Sequence, residues 1–236
     1  MKVEIYVPLY KEETDAQKYL LSVSMVCLKN QQVKDYELEV VCGYESITPQ
    51  TSIRLCESLG FKLEECPRDY ITPGSPAGKY AYRYAKSKAD FFSTCQNDDF
   101  FYVGKTISQL NCMKGGNYAI SIVGHTTMNH GVPIGFDNIH YDNEGIAGSV
   151  PSCWMINKSI VPEFPLEYTG MFNWDNIALY KIATYGRLLS IPIPLVIYNL
   201  HEDCTSLKYK DKNNSVIIKR SFFDKYKDKI VVEVMR

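Results

Sequence analysis

The sequence predicts an α/β fold with a mostly parallel central sheet flanked by helices. Short apolar runs of strand character recur through the first hundred residues, and each is followed by a segment with apolar residues at helical spacing. Repeated strand-then-helix units imply parallel strands, because parallel neighbours need a helical crossover between them.

Val3, Ile5 and Val7 alternate with Glu4 and Tyr6 and stop at Pro8, a strand; Thr14 and Asp15 then open a helix running to Asn30. LEVVC (38–42) precedes the helical SIRLCESLG, FKLEEC (61–66) precedes AGKYAYRYAKSK, and DFFSTC (90–95) precedes VGKTISQLNCMKGG. Residues 118–150 differ. NYAISIV reads as a strand, but HTTMNHGVPIGFDNIHYDNEGIAGSVP is rich in Gly, Asn, His and Asp with little periodicity, and is expected to be a long irregular segment with a functional role. SCWMIN and LLSIPIPLVIY read as strands flanking a helix that starts at NWDNIALYKIATYG and stops at Gly186. Beyond Ser206 a helix is expected at KRSFFDKYKDK, with a last apolar VVEV. One domain over 1–206 with a C-terminal extension, 207–236, packed on it is the expected organisation.

A net charge of -1 and a pI near 6.4 argue against a nucleic-acid backbone as partner. The eight cysteines contain no CxxC and most sit in apolar surroundings, as buried thiols in a reducing compartment do. The first apolar stretch is too short for a leader, and no segment approaches the roughly 20 apolar residues of a membrane span. The expectation is a soluble cytoplasmic protein, with a membrane-surface partner left open.

In open α/β sheets ligands bind beyond the carboxyl ends of the strands. Asp98 and Asp99 directly follow DFFSTC, at that rim. A helix N-cap, worth about 1 kcal/mol, accounts for one of them. Two adjacent carboxylates repel unless a cation or a hydrogen-bond network holds them, and a hard divalent metal shared with a diphosphate is one solution.

VEIYVPLYKEE, ADFFSTCQNDDF and NWDNIALYKIATYGRLLSIPIPLVIYNLHEDCTS carry a resemblance over about residues 1–206. In that order the chain resembles GT-A fold (Rossmann-like), family 2-like glycosyltransferases. The last stretch is the most specific, with a Trp-Asp helix, a Gly stop, an IPxPL strand and a His followed by Thr-Ser. The resemblance implies a nucleotide-sugar donor, expected to be a UDP-sugar, a divalent cation (Mn2+ or Mg2+), and inverting transfer of a hexosyl or deoxyhexosyl group. A glycan, glycoprotein or lipid-linked acceptor is implied.

By the same resemblance Pro8, Leu9 and Tyr10 border the nucleotide base, with Tyr10 stacking on it or closing the core at a strand end, and Glu12 adding a polar contact. Where the family offers an Asp after the second strand this chain has Cys42, Gly43, Tyr44 and Glu45, so Glu45 is the acidic substitute. The family's Asp-x-Asp reads Gln96, Asn97, Asp98. Gln96 keeps hydrogen-bonding capacity for a hydroxyl, Asp98 holds the metal-ligand position, and Asp99 orients the donor sugar, binds a metal water or caps a helix. His201 joins the metal or touches the phosphates. Lys79 and Arg83, one helical turn apart, meet the diphosphate or lie on a solvated face.

An inverting transfer needs a carboxylate to take the acceptor proton. Asp175 is the expected base, since Asn173 stands where the family often has a carboxylate, and Glu167 is the fallback. Trp174 stacks on a sugar or anchors the core, and His125, His130 and His140 meet an acceptor or are solvated. Two other classes compete. A nucleotidyltransferase normally carries a Gly-rich basic loop after its first strand, which PLYKEETD lacks; a degenerate sugar-binding or nucleotide-binding module is suggested by Gln96 and Asn173.

Overall fold

Both faces of the first strand, β1 (Lys2–Pro8), are buried over all but its first residue, as a central strand of a covered sheet requires. A computed structural model describes residues 1–11, 14–31, 35–71, 75–142, 145–167, 173–201 and 212–235. Helix α1 (Asp15–Lys29) starts at a capping box, in which Thr14 Oγ1 accepts from the Gln17 N–H and Gln17 Oε1 accepts from the Thr14 N–H. Next along the chain are β2 (Glu37–Tyr44), α2 (Gln50–Ser58), β3 (Lys62–Glu65), α3 (Ala77–Lys86) and β4 (Phe91–Thr94). Strands β3, β2, β1 and β4 lie side by side in that order, all parallel. The chain runs outward from β1 to β3 and then returns to the other flank of β1, so a crevice opens between the ends of β1 and β4.

The rest of the sheet corrects the expectation of mostly parallel strands. After β5 (Phe100–Phe101) and α4 (Lys105–Met113) come β6 (Tyr118–Asn129), β7 (Val132–Asp137), the small hairpin β8 (His140–Asp142) with β9 (Gly145–Ala147), and β10 (Trp154–Asn157). Strand β10 enters between β4 and β6, antiparallel to both. Helix α5 (Trp174–Ile182), strand β11 (Arg187–Leu200), helix α6 (Lys212–Tyr226) and strand β12 (Val232–Val234) complete the described residues. The long β11 is parallel to β6 and β12 but antiparallel to β5. Among the described residues this gives one mixed ten-stranded sheet, and the C-terminal residues share it through β12.

The segment expected to be irregular is largely strand. β6 runs on through His125 to Asn129 and returns as β7 across a two-residue turn, His130 and Gly131, whose φ values of 47° and 79° are both left-handed. Such turns match the twist of a hairpin. Register shifts between Ile191 and Pro194 and between Pro194 and Val196 mark where the prolines interrupt the β6–β11 ladder.

Two buried cations show opposite solutions to the same problem. Arg83 on α3 donates from Nε and Nη2 to the two oxygens of buried Glu4 at 2.7 and 2.6 Å, and from Nη1 to Glu64 at 3.3 Å. Lys105, in the first turn of α4, is fully buried; its ammonium donates to Ser93 Oγ at 3.1 Å and lies 3.8 Å over the Phe101 ring. Burial pushes the Lys105 amine down to about 7.

Opposite responses to truncation are therefore expected. Arg83→Met leaves the buried Glu4 with the Ser87 hydroxyl but without its cation and should cost about 3–5 kcal/mol in urea unfolding. Lys105→Met removes a charge that must be desolvated on folding. The unfolded chain holds that proton up to about pH 10.5 and the native state only to about 7, so wild-type stability rises with pH between them. The variant should be more thermostable than wild type at pH 7, with the gain shrinking toward pH 10.

Candidate active site

Two clusters meet at the crevice between β1 and β4. The first gathers around Lys79, whose side chain is only 2 % exposed. Its ammonium pairs with Glu45, donates to the Leu9 carbonyl at 3.4 Å and sits 4.3 Å from the centroid of the Tyr10 ring. Pro8 ends β1 opposite Gly43, and the Leu9 N–H donates to the Gly43 carbonyl at 2.7 Å. A Cβ on Gly43 would fall 1.9 Å from the Tyr6 hydroxyl, so only glycine fits there. Burial, then the charges of Asp98 and Glu45, push the half-buried Tyr10 phenol up. That coupling joins the first cluster to the second.

The second cluster is the tight turn after β4. Asp99 N–H donates to the Gln96 carbonyl at 3.2 Å, with half-buried Gln96, Asn97 and Asp98 on the turn. Asp98 Oδ2 lies 2.9 Å from His201 Nε2, while its Oδ1 is buried without a hydrogen-bond partner among the described residues. Asn199 in β11 donates its side-chain N–H to the Asp98 carbonyl at 2.7 Å.

Asp99 has no exposed surface. It accepts from the Ser152 hydroxyl at one oxygen and from the Asn199 backbone N–H, at 3.3 Å, at the other. Burial, then the neighbouring Asp98 charge, push its carboxyl well up. Asp99 therefore presents no atom to a donor, which corrects its expected contact with the sugar or with a metal water. Nor does it cap a helix, because Gly104 is the N-cap of α4.

The structure thus brings Pro8, Tyr10, Glu45, Lys79, Gln96, Asn97, Asp98 and His201 to one rim. Arg83 is not among them: its guanidinium is committed to Glu4 and Glu64, and it braces the sheet instead of facing a diphosphate. Lys79 faces Glu45, Leu9 and Tyr10, which occupy its ammonium. Glu12 lies outside the described residues.

Asn173 adopts a left-handed conformation (φ 59°) as N-cap of α5, a state open to Asn at small cost. Trp174 turns inward and packs 5.7 Å from the Tyr80 ring and 5.9 Å from Trp154, so it anchors the core. Asp175 is left on the first turn, part-exposed, with Oδ1 accepting from the Asn176 N–H at 2.9 Å. Burial pushes its carboxyl up to about 6, a value suited to a base near neutrality. Glu167, by contrast, accepts from Tyr226 at 2.6 Å and pairs with Lys225 at 3.2 Å and Lys181 at 3.3 Å. Burial works upward there, but these hydrogen bonds from Tyr226, Lys225 and Lys181 hold the carboxyl below its usual value. It ties α6 to α5 and is a poor base.

His125 is buried on β6, its Nε2 3.8 Å from Asp137 Oδ2, and His130 and His140 are exposed. Sequence reasoning missed Ser152, Asn199 and Lys105. Polar residues inside SCWMIN and LVIYNL were the available signals for the first two.

Asp98 and His201 supply one oxygen and one nitrogen donor, and the described residues contain no group of three or more His, Cys, Asp or Glu that could hold a metal ion. That set does not suit a structural zinc site, which wants four protein ligands. It fits a hard divalent cation that completes its shell with phosphate and water oxygens, and the unpartnered Asp98 Oδ1 is an acceptor waiting for a positive partner.

No protein-family model matches the sequence, and no curated protein matches it either. Solved structures do match. S. aureus TarS 1-349 in complex with UDP-GlcNAc superposes with a TM-score of 0.68 at 15 % identity, over 94 % of this chain and 65 % of that one. TarS 1-349 in complex with UDP gives 0.64 at 12 % identity, over 97 % of this chain and 71 % of that one. The mannosyltransferase PcManGT from Pyrobaculum calidifontis, in complex with GDP-Man and Mn2+, gives 0.57 at 15 % identity, over 94 % and 63 %. The chain thus spans about two thirds of the length of these neighbours. Its mixed α/β fold is therefore shared with these neighbours, one of which is a mannosyltransferase.

Proposed function

We propose that this chain is a divalent-metal-dependent glycosyltransferase that moves a sugar from a nucleotide-sugar donor, a UDP-sugar in the first instance, to a hydroxyl acceptor with inversion, as in family 2-like enzymes. The observation that carries the reading is the pairing of Asp98 with His201 at the mouth of the β1–β4 crevice, with Asp98 Oδ1 buried and unpartnered among the described residues. The neighbours solved with UDP-GlcNAc, UDP, and GDP-Man with Mn2+ support it.

In this reading Tyr10 stacks on the base, and the Glu45 carboxylate, fixed by Lys79, accepts a base N–H. Gln96 and Asn97 hydrogen-bond ribose or sugar hydroxyls. Asp98 and His201 would hold the cation, which when bound offsets the charge of the leaving diphosphate. Asp175 removes the acceptor proton as its oxygen attacks the anomeric carbon from the face opposite the nucleotide, and its burial keeps it basic enough to do so. A glycan, glycoprotein or lipid-linked acceptor approaches from the 125–150 side, where β7 is exposed along its length. Among the described residues no helix is long and apolar enough to cross a membrane.

Calorimetric titration with UDP tests the metal role. Wild type should bind UDP more tightly with Mn2+ than without it, and Asp98→Ala should abolish the difference; equal affinities in the wild type refute the metal reading. Donor transfer across a panel of UDP- and GDP-sugars tests the base. Asp175→Asn should lower kcat by about 10²–10⁴-fold, and the wild-type rate should fall as pH drops below about 6, where Asp175 takes up a proton. Because the folded carboxyl titrates above its unfolded value of 3.8, the charge costs stability only once pH exceeds that value, increasingly up to about 6. Asp175→Asn should accordingly raise the melting temperature more at pH 7.5 than at pH 4.

A further inference from the structure

Asp98 belongs to a turn held at more points than a solvent-facing loop needs. The Gln96 N–H donates to Ser152 Oγ at 2.9 Å, and the same hydroxyl donates onward to Asp99. Asn199 donates twice, from its side chain to the Asp98 carbonyl and from its backbone to the other Asp99 oxygen. Two residues therefore engage a donor at one end of the turn, a carbonyl in its middle and both carboxylate oxygens at its far end. They lie 53 and 100 positions away from Asp99 in the chain. Ser152 has no exposed surface and Asn199 is 8 % exposed, so neither is placed to bind a substrate directly.

A carboxyl group taken wholly out of water is tolerated only where hydrogen bonds replace its hydration. Asp99 meets that condition through Ser152 and the β11 main chain, which makes it an internal strut. His201 lies two residues beyond Asn199, and its ring meets Asp98 Oδ2. One short stretch of chain thus fixes the Asp98 backbone with Asn199 and meets its side chain with His201.

We propose that Ser152 and Asn199 are positioning residues that aim the Asp98 carboxylate at His201 and the cation, acting through the turn and through Asp99, and that Asp99 is not itself a ligand. The cation part rests on the reading under Proposed function. The aiming of Asp98 at His201 does not.

Two measurements separate these parts. Without metal, the ring-nitrogen NMR signals of His201, assigned with His201→Gln, should move in Ser152→Ala and in Asn199→Leu toward their positions in Asp98→Ala, while Ser152→Thr, which keeps the hydroxyl, should leave them near wild type. With UDP present, free Mn2+ measured by electron paramagnetic resonance should show affinity about 10–100-fold weaker in Ser152→Ala and Asn199→Leu, as for other lost partners of metal ligands. Asp99→Asn is the sharpest variant. Its amide can donate to Ser152 Oγ and accept from the Asn199 N–H, so Mn2+ affinity should stay within about 3-fold, whereas Asp98→Asn should lose it.

Unchanged His201 signals in both Ser152→Ala and Asn199→Leu overturn the clamp, and an Asp99→Asn variant as defective as Asp98→Asn overturns the strut. Should Ser152→Ala fail to fold, Asn199→Leu alone decides. A wild type that takes up no Mn2+ with UDP sinks the metal reading, and the metal-free His201 signals still decide whether Ser152 and Asn199 aim Asp98.

Discussion

A single dry carboxyl group organises the working end of this molecule. Asp99 has no contact with solvent, and a buried charge or acid group without partners would cost several kcal/mol. Its two partners come from segments that the chain reaches only after building β5 to β9, and then β11. Satisfying Asp99 therefore requires that the turn after β4, the entry to β10 and the end of β11 converge. Once they have, Asp98 and His201 face each other as a consequence of the fold.

The same logic distinguishes two of the cationic residues of α3, Lys79 and Arg83. Lys79 and Arg83 lie one turn apart on a helix, and sequence alone gives them the same prospects. Their fates separate because α3 runs away from the crevice as it packs on β1. Lys79, near its start, meets Leu9 at the carboxyl end of β1, and Arg83 meets Glu4 near the opposite end. A charge placed toward the amino ends of parallel strands is remote from the ligand crevice, so it is free to serve as a brace.

Much of this was legible in the sequence, for physical reasons that also mark where legibility stopped. The strand-then-helix units of the first hundred residues declared themselves because their periodicities are local and each helix buries one face. The rim positions of Asp98 and Tyr10 followed from strand ends. The mixed character of the sheet did not follow, because strand direction is set by which neighbour β10 pairs with, a long-range choice that leaves no local trace. The β6–β7 hairpin was hidden by its composition: Gly, Asn and His read as loop, yet His130 and Gly131 supply the left-handed turn and the flanking residues pair. Ser152 and Asn199 were invisible for the same reason as β10. A hydroxyl and an amide inside apolar strands acquire meaning only when the partner they satisfy is known.

The inward turn of Trp174 has an optical consequence. The chain contains two tryptophans, and they meet edge to face, with Trp154 at the head of β10 directly after Ser152 and Cys153, and Trp174 at the start of α5 beside Asp175. At 5.9 Å and 65° the two indoles are close enough to couple electronically, so this contact contributes to the near-ultraviolet circular dichroism and to the tryptophan emission. The protein thus carries a built-in gauge of the distance between the helix bearing the proposed base and the segment that steadies the carboxylate turn, readable without any added label.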